Sequence, residues 1–201
     1  MLESLTRWQV KEIDETHVQQ LQDELSISEI TARLLVGRGI DCVESARSFL
    51  HIDSIPYDDP FLLKDMERAV ERIHTAIENQ ETMLIFGDYD ADGVTSTSLL
   101  VHTFRKLNAH FLTYIPNRFT EGYGPNEAAF RWAKQQGVSL IVSVDTGISA
   151  TYEAEVANEL KLDFIITDHH EPPPTLPDAF AIINPKQPDC SYPFHELAGV
   201  G

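Results

Sequence analysis

Cysteine is almost missing from this chain: Cys42 and Cys190 are the only two in 201 residues. A pair so widely separated fits neither a disulfide scaffold nor a Cys-x-x-Cys metal knuckle, and reads as two ordinary thiols in a reducing compartment. Long apolar runs are missing too. No stretch approaches the roughly 20 residues that cross a bilayer, and the first residues lack the basic region and apolar run of a secretory signal. The expected location is therefore cytoplasmic, with no membrane partner. Basic residues are scarce: 15 Lys and Arg stand against 32 Asp and Glu, a formal charge of −17. That balance opposes a nucleic-acid partner, whose phosphates are usually met by clustered cations. The two agree if divalent cations offset the acidity at a site, or if a basic surface lies in sequence outside this chain.

What is present is an ordinary globular composition, 42% hydrophobic and 23% charged, enough for one main folded domain. The last residues, Leu197-Ala198-Gly199-Val200-Gly201, form an apolar glycine-bearing segment that reads as a cut inside a longer protein.

Residues 1–79 read as a helical N-terminal region. Asp41 is the expected cap before Val43 to Leu50, and Ser28 opens an amphipathic helix that ends near Gly37 and Gly39. Met66, Ala69, Val70, Ile73 and Ile77 carry a helical period. Pro56 and Pro60 mark a loop near which a subdomain boundary could fall. From position 80 short apolar runs alternate with helical segments. Strands are expected at Thr82 to Phe86, His110 to Ile115, Leu140 to Val144, Phe164 to Thr167 and Phe180 to Ile183. Helices are expected near 94–107, 126–136 and 150–161. This is the pattern of an α/β fold with a doubly wound, mostly parallel sheet, here preceded by helices.

Three polar clusters each follow directly after an expected strand: Gly87-Asp88-Tyr89-Asp90-Ala91-Asp92-Gly93, Asp145-Thr146-Gly147 and Asp168-His169-His170. In an open parallel sheet the carboxyl ends of the strands share one edge, so the clusters should converge there. Five aspartates and two histidines in one place repel one another unless cations are present. Mixed carboxylate and imidazole ligation suits Mn²⁺ or Zn²⁺ better than Ca²⁺ or Mg²⁺, which prefer all-oxygen shells. Asp88, Asp90, Asp92 and Gly93 also match the opening of an EF-hand loop, but its twelfth position would be Leu99 rather than Glu, and a strand rather than a helix precedes it. Taken alone, Asp145 would be turn chemistry with Ser149 capping the next helix, and each histidine an ordinary loop residue. Their joint placement reverses that reading. His17, His51, His74, His102, His110 and His195 lack such company and receive no role.

In this order, Asp-Tyr-Asp-Ala-Asp-Gly, Val-Asp-Thr-Gly and Asp-His-His resemble the first three motifs of the DHH phosphoesterases. Pro116-Asn117-Arg118-Phe119 with Glu121-Gly122-Tyr123-Gly124, and Asn184-Pro185-Lys186-Gln187 with Leu197 to Gly201, resemble that family's single-strand exonucleases in particular. The resemblance covers residues 80–201, and less distinctively the helices before them. It implies a DHH phosphoesterase domain over 80–201, cut short at its C-terminal end. It implies Asp90, Asp92, Asp145 and His169 as metal ligands, with Asp145 suited to bridge two ions. His170, Asp88 and Asp168 complete the catalytic group, His170 as ligand or phosphate contact and the two aspartates as supports. Arg118 would contact a phosphate, and Gly122 and Gly124 would let backbone amides approach it; a surface salt bridge and plain turn-making are the competing readings. Tyr89 and Tyr123 could stack on bases.

The implied activity is a metal-dependent 5′ to 3′ exonuclease on single-stranded DNA in recombination and repair, using two Mn²⁺ ions with Mg²⁺ as the alternative. A single-strand-binding protein and a RecQ-type helicase are the implied partners. Two departures stand out. Phe86 occupies the place where many members carry a histidine, and the fourth aspartate motif would fall beyond Gly201, so the chain alone is expected to be inactive. Two rival readings share the motifs: an oligoribonuclease or cyclic-dinucleotide phosphodiesterase, and a non-catalytic replication scaffold.

Overall fold

A computed structural model of the chain describes residues 9–51 and 57–201. It divides into two compact units, Met1–Tyr57 and Asp58–Gly201. Pro56 lies outside the described residues. No helix among the described residues is long and apolar enough to cross a membrane.

The first unit holds three helices, α1 (Glu15–Leu25), α2 (Glu29–Gly37) and α3 (Val43–Leu50). Each begins where a side chain can take up a free amide of the first turn. Asp14 accepts from Thr16 N at 2.8 Å and Ser28 from Thr31 N at 3.1 Å. At α3 the cap is Cys42, not the expected Asp41: Cys42 Sγ accepts weakly from Ser45 N at 3.5 Å. Val18, Leu21, Ala32, Leu35 and Ala46 make the small core. Arg33 of α2 ties the first two helices together through Glu15 of α1 at 2.7 Å, and also pairs with Glu29 of its own helix at 2.9 Å.

The second unit starts with a 3-10 turn, Pro60–Leu62, and α4 (Met66–Glu78). The division into compact units thus falls before α4, while the domain boundary read from the sequence falls after it. The stripe of Ala69, Ile73, Ala76 and Ile77 packs against the sheet, so α4 belongs with the strands. Then β1 (Thr82–Phe86), α5 (Ala91–Lys106), β2 (His110–Tyr114), α6 (Glu127–Gln135), β3 (Val138–Val144), α7 (Thr151–Glu159), β4 (Asp163–Thr167) and β5 (Ala181–Ile183) follow. All four strand pairings are parallel, in the order β2-β1-β3-β4-β5. The expected strands and helices are all found, displaced at their ends by at most three residues.

Alternation along the strands builds two cores, one per face. Leu84, Phe86, Ile141, Phe164 and Ile166 point to one side with Phe130 and Ala133 of α6 and Ala154 and Ala157 of α7. Met83, Ile85, Leu140, Val142, Val144 and Ile165 point to the other, against Ala69 and Ala76 of α4 and Phe104 of α5. Central strands covered on both sides read as almost continuous hydrophobic runs, as β1 and β3 do; the buried Ser143 of β3 is met by a hydrogen bond to Thr146 O at 2.8 Å.

The order 2-1-3-4-5 places its switch between β1 and β3, where successive crossovers leave the sheet in opposite directions and open a crevice at the carboxyl ends. Phe86 ends β1 just short of that crevice and is fully buried. It stacks on Tyr114 with centroids 5.5 Å apart and meets Phe130 edge-on at 6.3 Å. Its position thus serves packing and adds no ligand atom. Phe86→Ala is expected to destabilise the fold by roughly 3–5 kcal/mol, measured by denaturant unfolding.

Candidate metal centre

The loop after β1 turns immediately into α5. Asp90 caps that helix, its Oδ1 accepting from Asp92 N and Gly93 N, both at 2.9 Å. The cap leaves Asp90 Oδ2 without a partner from the first turn. Asp88, two residues earlier in the loop, is 2% exposed, and its Oδ1 has no hydrogen-bond partner. Burial pushes its carboxyl above the usual range, with the Asp90 charge adding to the effect.

The loop after β3 carries Asp145 into the same crevice. Its amide continues the ladder to β4, donating to Thr167 O at 3.0 Å. The residue then adopts a left-handed backbone with φ +61°, a conformation Asp tolerates better than most side chains. Asp145 is 1% exposed, and its Oδ1 accepts no hydrogen bond. Desolvation, then the charges of Asp92 and Asp90, push its carboxyl up to about 6. The competing turn reading, with Ser149 as helix cap, is not met: the N-cap of α7 is Ala150, without a side-chain cap.

The loop after β4 delivers the two histidines. Asp168 anchors it, its Oδ1 accepting from His169 N at 2.7 Å, His170 N at 3.1 Å and His170 Nδ1 at 2.6 Å. Its Oδ2 accepts from Ile148 N at 2.8 Å in the β3 loop. With four N–H donors on one carboxylate, Asp168 faces inward and locks two loops together. A carboxylate holding one ring nitrogen of a histidine leaves the other free for a ligand. His169 Nε2 lies 3.1 Å from Asp145 Oδ1 and 3.8 Å from Asp92 Oδ2.

Ligand-competent atoms of Asp88, Asp90 and Asp145 lie within 4.8 Å of one another, as do those of Asp145, His169 and His170. Asp145 belongs to both groups. Asp88 and His170 therefore stand as close to the centre as the residues read as ligands, whereas Asp168 is a support. Asp92 stands at the rim beside His169, its carboxylate held by Gly199 N at 2.7 Å and Val200 N at 2.9 Å. A divalent cation fits this donor set: the buried Asp88 Oδ1 and Asp145 Oδ1 accept no hydrogen bond, like charges crowd both, and the His169 ring beside Asp145 supplies a further donor, so a cation would neutralise what the fold leaves uncompensated.

Arg118 does not join this centre. Among the described residues it makes no ion pair; its guanidinium lies over the Tyr89 ring, 5.3 Å from the centroid. Gly122 and Gly124 take positive φ, +85° and +88°, so turn geometry alone requires glycine at both. Gly124 also lines a cleft of about 310 Å³ shared with Tyr123, Thr146, Glu153, Asp168 and His170. The Tyr123 hydroxyl is 3.5 Å from His170 Nδ1 and 3.4 Å from Asp145 O. Desolvation raises its pKa to about 12, so it stays a neutral donor. Sequence reasoning missed Asn184, which is fully buried and donates from Nδ2 to His170 O at 2.9 Å. The available signal was an Asn-Pro turn directly after β5, a kind of turn that often fixes a neighbouring loop.

Because the folded carboxyl of Asp145 is raised, its protonation stabilises the metal-free fold fully below the ordinary value near 3.8, and this is lost as pH rises to about 6. At about 1.36 kcal/mol per pH unit the loss is roughly 3 kcal/mol. Excess divalent cation is therefore expected to raise the melting temperature more at about pH 7.5 than at about pH 5, as thermal scans will show.

A protein-family model described as the DHH family, N-terminal domain, matches residues 82–201. The single-stranded-DNA-specific exonuclease RecJ of Bacillus subtilis (strain 168) is 58% identical over 201 residues, covering 100% of this chain and 26% of the relative. RecJ of Escherichia coli (strain K12) is 39% identical over 192 residues, 95% of this chain and 32% of the relative. The chain thus spans about a third or less of the length of these relatives. A crystal structure of exonuclease RecJ bound to manganese aligns with TM-score 0.64 and 31% identity, over 73% of this chain and 37% of that one. RecJ from Thermus thermophilus in complex with Mn²⁺ shares the fold, with TM-score 0.65 and 24% identity over 94% of this chain and 26% of that one.

Proposed function

The chain belongs to the DHH family, and from that premise we propose that it carries the metal-binding core of a phosphodiesterase acting as a 5′ to 3′ exonuclease on single-stranded DNA. The observation that carries this reading is the meeting of Asp88, Asp90, Asp145, His169 and His170 at the β1/β3 switch. The full-chain similarity to RecJ supports the substrate class.

Asp88, Asp90, Asp145, His169 and His170 would hold two divalent ions between them, with Asp92 a further ligand at the rim beside His169 and Asp145 shared. Mn²⁺ suits their mixed oxygen and nitrogen donors better than Mg²⁺ does. Ions bound there supply Lewis-acid stabilisation of phosphoryl oxygens and a water acidic enough to act as nucleophile. Asp168 holds the His170 ring by its Nδ1, which leaves Nε2 as the nitrogen free to take a ligand. The neutral Tyr123 hydroxyl offers a proton to a phosphate oxygen without adding charge. Arg118, held over Tyr89, brings a cation beside an otherwise acidic crevice, and the exposed Phe119 next to it gives bases a surface to stack on.

The scaffold reading is disfavoured by the buried carboxylate oxygens left without partners, which a protein free of metal has no physical reason to keep. The decisive assay uses a protein of the relatives' full length carrying this chain, with Mn²⁺ and a 5′-labelled single strand. Mononucleotides are expected from the labelled end, and Asp145→Asn should lower the rate on the order of a hundredfold or more. Cleavage confined to dinucleotides would move the assignment to the oligonucleotide branch, and no cleavage at all to the scaffold.

A further inference from the structure

Asp92 differs from the other acidic residues of the centre in how it is held. Asp90 is fixed by the start of its own helix, and Asp88 and Asp145 have buried oxygens with no partner. Both oxygens of Asp92, by contrast, are gripped by backbone amides more than a hundred positions away. Gly199 N donates to Oδ2 at 2.7 Å and Val200 N to Oδ1 at 2.9 Å. One amide per oxygen fixes the plane of a carboxylate as well as its position, since neither in-plane tilt nor rotation about the Cβ–Cγ bond keeps both bonds.

The same segment also touches Asp145. A Cβ built on Gly199 would lie 2.3 Å from Asp145 Oδ1, 2.6 Å from its Cγ and 2.7 Å from its Cβ. The three nearest atoms to that missing side chain are therefore all atoms of a second proposed ligand. A turn between Ala198 and Gly201, closed by Gly201 N to Ala198 O at 2.9 Å, holds the two amides in place. The segment thus bonds to one proposed ligand with its amides and packs against another with a bare Cα.

We propose that Gly199 and Val200 are positioning residues of the metal centre, their amides orienting Asp92 and the glycine Cα setting the gap between Asp92 and Asp145. This rests on the metal reading above, with Asp92 as a ligand. Removing one amide lets the carboxylate turn, and adding a methyl at 199 drives Asp145 from its place. Either change acts on metal affinity through a partner of the ligand, an effect of about tenfold to a hundredfold elsewhere.

The test is Mn²⁺ titration by calorimetry on the whole chain and on Val200→Pro, Gly199→Ala and Asp92→Ala, with the melting temperature of each metal-free form measured alongside. Val200→Pro and Gly199→Ala are expected to bind at least about tenfold more weakly while the metal-free form of each still unfolds cooperatively. Val200→Ala, which keeps the amide, should restore what Val200→Pro loses. By NMR, the Gly199 and Val200 amide hydrogens of the metal-free chain should exchange slowly and lose that protection in Asp92→Ala. If the unaltered chain binds no Mn²⁺, the metal reading fails and takes this inference with it. If the chain binds, but Val200→Pro and Gly199→Ala match it, or Asp92→Ala does, the positioning role is overturned while the metal centre stands. Should the first two variants melt early, the exchange experiment decides, because it needs only the unaltered chain and Asp92→Ala; protection that survives in Asp92→Ala overturns the proposal.

Discussion

Like charges brought together in a crevice where burial weakens the screening of water form the constraint to which the rest of this structure answers. Asp88 and Asp145 are almost fully buried, with Asp90 and Asp92 beside them. Such crowding favours the neutral acid at Asp88 and Asp145, or a cation among the four carboxylates. The sheet meets this cost with rigidity. Two apolar layers, one on each face, hold β1, β3 and β4 in register, so three loops cannot spread apart to relieve the repulsion. The acidic side chains stay crowded because the hydrophobic cores beneath them resist any other arrangement.

Within that frame the loops divide the work. Asp168 commits its whole carboxylate to four N–H groups and is thereby a structural pin between the β3 and β4 loops. Asn184, from the turn after β5, pins the His170 carbonyl in turn. The histidines presented to the crevice are therefore held from both sides by residues that do not enter it. At the far end of the sheet a second polar group has the opposite character. Arg72 bridges Glu81 and Asp163 at 2.7 and 2.6 Å, so the acids there are neutralised within the fold. The contrast between the two ends separates acids met by an arginine, which hold structure, from acids crowded together with which, among the described residues, no Lys or Arg forms an ion pair.

Most of this is legible in the sequence. The continuous apolar runs of β1, β3 and β4 announce strands covered on both faces, and the polar clusters directly after them locate the crevice. How each acid is held is not legible, because that depends on amides remote in sequence. Nothing at Asp92 points to Gly199 and Val200, and nothing at Asp168 announces four donors. Helix α4 reads with the N-terminal region because its period shows which face is apolar but not what that face covers. Cys42 displaces Asp41 as a cap because the cap is set by where the chain first turns helical, and a thiol there can accept, weakly, an amide that would otherwise go without a partner. Arg118 reads as a phosphate contact or an ion-pair partner, and nothing in the sequence announces that its guanidinium lies over the ring of Tyr89.

The left-handed backbone at Asp145 has an evolutionary corollary. Few side chains accept that conformation, and asparagine is foremost among them. Glutamate would keep the charge but strain the main chain; alanine would strain it and leave a hole. The gentlest exit from this position is therefore a single exchange of oxygen for nitrogen, which preserves the loop while removing the anion. A lineage drifting away from catalysis would be expected to pass first through asparagine here, its sheet and cores intact, long before the fold itself showed any sign of decay.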